Sequence, residues 1–283
     1  MSKPIDKKIL ICPTCKSEDL LISGEIVCRK CDAKYSVDDK KYIFMEYGSD
    51  DVKDSLDRIK FIFKKLNKLY NLLIYFISPV YHSHKPKRFI KNFYKDNSNS
   101  ILLNLGSGNY DISDNMSNVD IFAYDSVDLV CDIANLPIMD NAVDFILNLA
   151  VLEHVPDTEK VVEEFRRILK PGGTIYVFFP FIQPFHASPF DFSRRTFEGM
   201  KILFKDFKII KLKPAGGPTS GLLWVIQEWI AIVLSFGNKK LHLVLSMLLM
   251  ILTFPVKFLD FLFIHHPLAK NISSGFVLIG KKV

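Results

Sequence analysis

Apolar positions in this chain form two kinds of run: short ones broken by polar turns over the middle, and two long ones near the end. The short runs predict strands. Residues 101–104 lead into Gly106-Ser107-Gly108, the pattern of a buried strand closing in a glycine turn, where the missing Cβ permits positive φ and close approach of a ligand. NVDI (118–121) predicts a strand ending at Asp120, and 127–137 one reaching Cys131 and then Asp132. Residues 143–155 read as a buried strand running into a turn, and 174–180 as another all-apolar strand. Between these two, Val161, Val162, Phe165, Ile168 and Leu169 recur at helical spacing, predicting a helix over 158–169 capped by Thr158 and stopped by Pro171-Gly172-Gly173. Continuous apolar strands around an amphipathic helix predict an α/β fold with a parallel sheet covered on both faces. In such a sheet ligands bind at the carboxyl ends of the strands. Residues 207–213 and 275–282 read as the last two strands.

The long runs, 222–236 and 241–256, lie between those last two strands and hold much of an apolar excess: 49% of 283 residues are hydrophobic and 24 are Phe. Each is marginal against the roughly 20 residues a membrane-spanning helix needs. A single crossing would put the final strand on the wrong side of the bilayer, whereas two helices that dip in and return keep both strands in the cytoplasm. Interfacial or hairpin attachment to a membrane is the expectation, with a hydrophobic lid or dimer face as the alternative. Further upstream, Ile59, Ile62, Phe63, Leu66, Leu69, Tyr70, Leu73 and Ile77 predict an amphipathic helix over 56–77, with Lys60, Lys64 and Lys68 on another face. Such a helix packs over a domain or lies on a membrane.

Charge adds to this picture. The net charge is +6, and between Lys53 and Lys95 eleven Lys and Arg are opposed only by Asp54 and Asp57. That balance suits an anionic membrane surface or nucleic acid. The first ten residues are charged and carry no apolar signal core, so a cytoplasmic protein at the inner membrane face is expected. His82 and His84 have no carboxylate nearby in sequence and predict no metal site. The polar run 96–100 marks a boundary.

Four of the five cysteines, Cys12, Cys15, Cys28 and Cys31, form C-x2-C-x12-C-x2-C. Two CxxC turns aim four thiolates at one ion, which predicts a closed tetrahedral Zn2+ site that folds a short segment and does not catalyse. The stretch resembles the Trm112-like zinc ribbons, whose CPxC, strand, CxxC, Tyr and acidic turn are matched here by Tyr35 and Asp38-Asp39. The expected division is a zinc ribbon over 1–46, a basic helical linker over 47–98 and a main domain over 99–283, with an apolar helical insertion at 214–272.

Five ordered motifs carry a second resemblance: NLGSGN, the acidic strand end Asp120, the turn Asp132-x-x-x-Leu136-Pro137, VLEHV and RILKPGG. Together they closely resemble the class I S-adenosylmethionine-dependent methyltransferases of the type 11 group, over roughly 101–207. The resemblance implies a Rossmann-like seven-stranded sheet whose last two strands form an antiparallel pair. It implies that Asn104, Gly106, Ser107 and Gly108 form the cofactor turn. Asp120 would accept hydrogen bonds from both ribose hydroxyls, and Asp132 would accept from the adenine amino group with Ile133 beside the ring. Leu149 and Ala150 would line the cofactor towards the acceptor. His186 and Asp191, in PFHASPFDF, are candidates for acceptor contact, with His186 a possible base. His154 orients the loop after its strand or acts directly. Arg194 and Arg195 are candidates for an acidic or phosphorylated acceptor, and Cys131 reads as a core thiol.

Two departures stand out. The family usually has an acidic residue where this chain has Asn104, and too few residues follow Gly108 and Ile121 for the usual covering helices. The helix over 56–77 is a candidate to fill that gap. PFIQPFHASPFDFSRRTFEGM resembles a subgroup associated with surface polysaccharide and lipid-linked sugar pathways. The leading expectation is therefore a methyltransferase acting on a small, lipid-linked or sugar-containing acceptor. A tRNA or protein methyltransferase using the zinc ribbon is the alternative, weakened by the few Arg in the basic segment. A non-catalytic module that binds S-adenosylmethionine is a third.

Overall fold

The computed structural model describes residues 3–38, 41–45, 77–81, 83–186 and 190–283. The helix expected over 56–77 lies, except for its last residue, outside the described residues, as do His82 and Asp39.

Among the described residues the strands form one eleven-stranded sheet. Its parallel centre runs β7 (Leu129–Val130), β6 (Ser117–Asp120), β5 (Leu102–Leu105), β8 (Val143–Leu149), β9 (Leu169–Pro180). Antiparallel β11 (Gly275–Lys282) and β10 (Phe207–Gly216) complete one side. These seven strands have the expected architecture, including the antiparallel last pair. On the other side the cysteine-bearing segment contributes β1 (Leu20–Ile22), β2 (Glu25–Cys28), β3 (Lys34–Asp38) and β4 (Lys41–Ile43). β4 pairs in parallel with β7, Tyr42 opposite Leu129 and Ile43 opposite Val130, so the ribbon continues the central sheet.

Alternate residues on the central strands feed two cores, as the two-residue side-chain period of a strand requires. Leu103, Leu105, Ile146, Ile175, Val177, Phe179, Phe276 and Leu278 face one core. It is closed by Val161, Val162, Phe165 and Ile168 of α2 (Thr158–Ile168), by Met200 and Leu203 of α3 (Phe197–Leu203), and by Ile9, Leu10, Ile26 and Phe44 from the ribbon. Leu102, Phe145, Leu147, Tyr176, Phe178 and Val277 face the other, which is covered by Ile90, Phe89 and Phe93 of α1 (Pro86–Asp96). Burying each such side chain contributes about 1.5–3 kcal/mol, so both covers are integral to the sheet.

Three local features differ from expectation. α1 falls in the stretch expected to be a basic helical linker, but beyond the helix predicted there over 56–77. Asp157, not Thr158, caps α2, its carboxylate accepting from Lys160 N at 2.9 Å, and an acceptor at that position satisfies a free N–H of the first turn. β7 has two residues where a longer strand is expected, because Asp132 already turns the chain by accepting from Ala134 N. As expected, no helix intervenes between β5 and β6 or between β6 and β7.

The apolar insertion is a helical pair, α4 (Pro218–Ser235) and α5 (Lys239–Thr253), ending in a short helical turn, Asp260–Phe263. Both ends of the insertion meet at one place, since Gly216 of β10 pairs with Gly275 of β11. Buried Asp260 accepts from Thr219 N and Ser220 N at 2.8 and 2.7 Å, capping α4 from the returning chain. Buried Lys257 donates to Ser78 O at 2.7 Å.

Candidate active site

The four cysteine side chains converge. Sγ of Cys12 and Cys31 are 3.6 Å apart, Sγ of Cys15 and Cys28 are 3.5 Å apart, and all four lie within 4.8 Å of one another. Sulfurs on one tetrahedral Zn2+ lie about 3.8 Å apart, from Zn–S bonds of about 2.3 Å, so the set fits that ion. The two CxxC turns are built alike. Lys16 N donates to Cys12 O at 2.8 Å and Asp32 N to Cys28 O at 2.9 Å, and Lys16 and Asp32 both have φ of 57°. The Tyr35 hydroxyl lies 3.4 Å from Cys12 Sγ and 2.8 Å from Thr14 Oγ1.

A cavity of about 510 Å3 opens at the carboxyl ends of the parallel strands. Gly106, Gly108, Asp120, Asp132, Ile133 and Ala150 line it, as six of the expected cofactor residues. Asn104, Ser107 and Leu149 are not among its lining residues. Gly106 has φ of 73°, and a Cβ there would fall 2.3 Å from a Val151 methyl, so only glycine fits this turn. Asn104 is buried one layer behind, its Nδ2 donating to Asn118 Oδ1 at 3.0 Å. Asp120 accepts from Gly108 N at 2.7 Å and from Phe122 N at 3.0 Å. A carboxylate has about four acceptor positions, so these two bonds leave acceptor capacity for a ligand. Burial raises the Asp120 carboxyl above the usual range, while those main-chain N–H groups pull it back.

The Asp132–Pro137 turn is held by α2. Leu136 N donates to Glu164 Oε2 at 2.9 Å, and Arg167 donates to Leu136 O and Ile138 O at 3.0 and 2.6 Å. Met45, just past β4, also lines the cavity, and a smaller adjoining cavity is lined by Pro13, Thr14, Tyr35, Phe44, Met45, Cys131, Asp132 and Asn135. The ribbon thus walls the side where covering helices are missing. Cys131 is buried, which pushes its thiol up, as befits a core residue.

At the opposite rim, His154 lines the cavity and its ring meets that of His186 edge-on, centroids 5.4 Å apart. Burial lowers the pKa of His154, favouring the neutral ring. His186 stacks on Trp224 of α4, centroids 5.9 Å apart. Asp191 departs from its expected role. Both its oxygens are engaged by Arg194, one of them also accepts from His186 N at 2.9 Å, and its side chain is 4% exposed. Burial works to raise its pKa, but the Arg194 hydrogen bonds hold it below the usual range. Asp191 therefore positions His186 and Arg194 and leaves no face for an acceptor. Arg195 is likewise occupied, by Thr158 and Glu159 at 2.7 Å each.

Sequence reasoning passed over Glu153, between the two histidines in space. It is fully buried, and burial pushes its carboxyl up to about 8, with Arg194 opposing and Asp191 adding to the rise. It stands beside His154 in VLEHV, but nothing in the motif tells which way it turns.

Residues 107–177, from the glycine turn into β9, match the family Methyltransf_11, described as a methyltransferase domain. No curated protein sequence matches the chain. Among solved structures it is similar to a putative sarcosine dimethylglycine methyltransferase from Galdieria sulphuraria, at 16% identity over 81% of this chain and 98% of that one, with a TM-score of 0.49. It is also similar to 1,6-didemethyltoxoflavin-N1-methyltransferase from Burkholderia thailandensis, at 10% identity over 90% and 97% of the two chains, with a TM-score of 0.43. These likenesses are too distant to bear on the acceptor. The matched residues take in Ser107-Gly108, Asp120, Asp132 and VLEHV at the cavity, so residues 107–177 of this chain form a methyltransferase domain of that family.

Proposed function

We propose that this methyltransferase modifies a small lipid-linked or sugar-containing acceptor at the cytoplasmic face of a membrane, with a structural Zn2+ held by Cys12, Cys15, Cys28 and Cys31. Asp120 holds the ribose hydroxyls of S-adenosylmethionine, Asp132 and Ile133 hold its adenine, and Gly106, Gly108 and Ala150 let its methionine part approach the backbone. When bound, that molecule supplies a methyl group already activated on a sulfonium. The residues of the chain then contribute chiefly proximity and alignment, which can account for about 7–11 kcal/mol of a barrier. His154 and His186 stand at the rim where an acceptor enters, and the His154 ring, held neutral by burial, can take a proton from a hydroxyl.

The observation that carries the membrane part of this reading is Trp224. It belongs to an apolar helix of the insertion and stacks on His186, so the insertion borders the acceptor side of the site. Pro218–Ser235 and Lys239–Phe263 are each long and apolar enough to cross a membrane by length and composition. The paired ends of the insertion, Gly216 and Gly275, require that whatever enters a bilayer also returns. The basic residues between Lys53 and Lys95 supply a second attraction to anionic lipid.

Calorimetric titration with S-adenosylmethionine and flotation with anionic liposomes test the two parts separately. The chain is expected to bind the cofactor, and Asp120→Ala to weaken binding about 100-fold or more, since hydrogen bonds to a charged group are worth about 1.5–3 kcal/mol each. Equal affinity for the variant would remove Asp120 from the site. Failure to float would remove the membrane.

A further inference from the structure

Glu153 has no satisfactory environment as the chain stands. Its side chain is 0% exposed, and neither carboxylate oxygen meets a hydrogen-bond donor from another residue. A buried carboxyl group with no partner from another residue costs about 1–3 kcal/mol even when neutral, so a native protein retains one for a reason. Nε2 of His154 lies at 3.8 Å and Nε2 of His186 at 3.9 Å, both facing the same oxygen, Oε1. These separations are too long for hydrogen bonds.

Each imidazole is oriented by its other nitrogen. Nδ1 of His154 lies against Phe190 O, and Nδ1 of His186 lies 3.1 Å from Pro184 O. Donation from Nδ1–H to a main-chain carbonyl leaves Nε2 with a free lone pair, which is how protein imidazoles are held when they bind metals. Arg194 Nη2 is also 3.2 Å from His186 Nδ1, but its two N–H groups have oxygen acceptors in Asp191 Oδ2 at 2.6 Å and Pro184 O at 3.3 Å, which lets His186 Nδ1 keep its own proton. The three ligand atoms lie within 4.8 Å of one another. Ligand atoms on a tetrahedral Zn2+ lie about 3.4 Å apart, from bonds of about 2.1 Å, so an ion would draw each imidazole towards Glu153 by about half an ångström and the two imidazoles together by up to about 1.4 Å.

We propose that Glu153, His154 and His186 bind a divalent transition-metal ion of the zinc class, with a coordination position left open towards the cavity that His154 lines. Two imidazoles and one carboxylate suit such an ion better than Mg2+ or Ca2+, which prefer oxygen ligands throughout. The site is separate from the four-cysteine cluster, which is closed by its own ligands. The ion's task rests on the reading of the cavity given above, with ligation taking the place of the proton-accepting role of the histidine rings, although its binding does not. At the open position an acceptor hydroxyl would coordinate through oxygen and lose its proton to water. Its lone pair would then attack the methyl carbon as the sulfonium carbon–sulfur bond breaks.

Zinc content of the full chain, dialysed against near-stoichiometric Zn2+ and measured by elemental analysis, tests the site. Two ions per chain are expected for the unaltered protein and one for Glu153→Gln and for His186→Asn. One ion in the unaltered protein would overturn the proposal, as would two ions in both variants. Titrating S-adenosylmethionine into the same samples separates the readings: loss of cofactor binding with two ions present sinks the methyltransfer role and leaves the metal site standing.

Discussion

Asn104 stands where the methyltransferases that the motifs resemble usually have an acid, and its surroundings explain the exchange. Its Nδ2 points at Asn118 Oδ1, and that amide is fixed in turn by Asn118 Nδ2 donating to Ser126 O at 2.9 Å. A carboxylate at position 104 would face an acceptor oxygen, and turning the Asn118 amide to suit it would leave Ser126 O facing an oxygen instead. The pair is buried, so Asn104→Asp is expected to lower stability by about 1–3 kcal/mol, read as a lower denaturant midpoint with the slope unchanged. Cofactor affinity should fall far less than in Asp120→Ala, because Asn104 does not line the cavity. Unchanged stability with altered affinity would show that the position serves the cofactor. The same scale shows why some site residues were legible in the sequence and others not. Gly106 and Asp120 announce themselves, since the turn needs positive φ and the strand end needs an acid. Glu153 does not, because its importance lies in what it fails to bond, and that depends on two histidines placed by different loops.

At the scale of elements, strands were the most readable. β11 has the bounds its apolar run predicts, and β5 and β6 fall within a residue of theirs, because buried strands of a sheet covered on both faces are rich in apolar residues. β8 starts where expected but ends at Leu149, six residues before the end of its run. The bounds of α1 were missed because its cues, Phe89, Ile90 and Phe93, are few and sit in a run of Lys and Arg that draws attention to charge. The α4–α5 pair was legible as apolar helices, and the structure adds how it is anchored. Asp260 and Lys257 fix its base with buried polar contacts, while Gln227 Nε2 donates to Thr253 Oγ1 at 2.5 Å and His242 Nε2 meets Glu228 Oε1 at 3.0 Å between the two helices. The outer surface is another matter. Trp229, Phe236, Leu252 and Phe261 are all more than half exposed, and α5 has no buried residue. Substituting these four with Ser removes little packing, so stability should change by less than about 0.5 kcal/mol for each. Transfer of such side chains out of water is worth about 1.5–3 kcal/mol each, so liposome flotation should be abolished by the same four changes. A large drop in thermal midpoint would show that this surface is packed against protein, as a lid or dimer face requires.

At the scale of the whole molecule, the sheet joins the cysteine cluster to the cofactor cavity. A zinc ribbon attached by a linker would leave the cavity untouched when its metal is removed. Here β4 is hydrogen-bonded to β7, and Ile9 and Leu10 pack in the same core as Leu103 and Leu105. Leu10 pairs with Ile138 beside the Asp132–Pro137 turn, Lys16 Nζ donates to Asn135 Oδ1 within that turn at 2.6 Å, and Met45 reaches the cavity wall. The covering helices absent between β5, β6 and β7 leave these ribbon contacts as a main support of that half of the site. A four-thiolate zinc contributes on the order of 10 kcal/mol to a segment too small to fold alone. Chelation, or Cys28→Ser, should therefore do more than unfold residues 10–45. Hydrogen exchange should quicken in β7 and β6 while β8 and β9 stay protected, and affinity for S-adenosylmethionine should fall about 10-fold, the loss of roughly 1.4 kcal/mol of wall contact. Unaltered exchange in β7 with full cofactor affinity after zinc removal would mean that the ribbon is joined to the sheet without supporting the site.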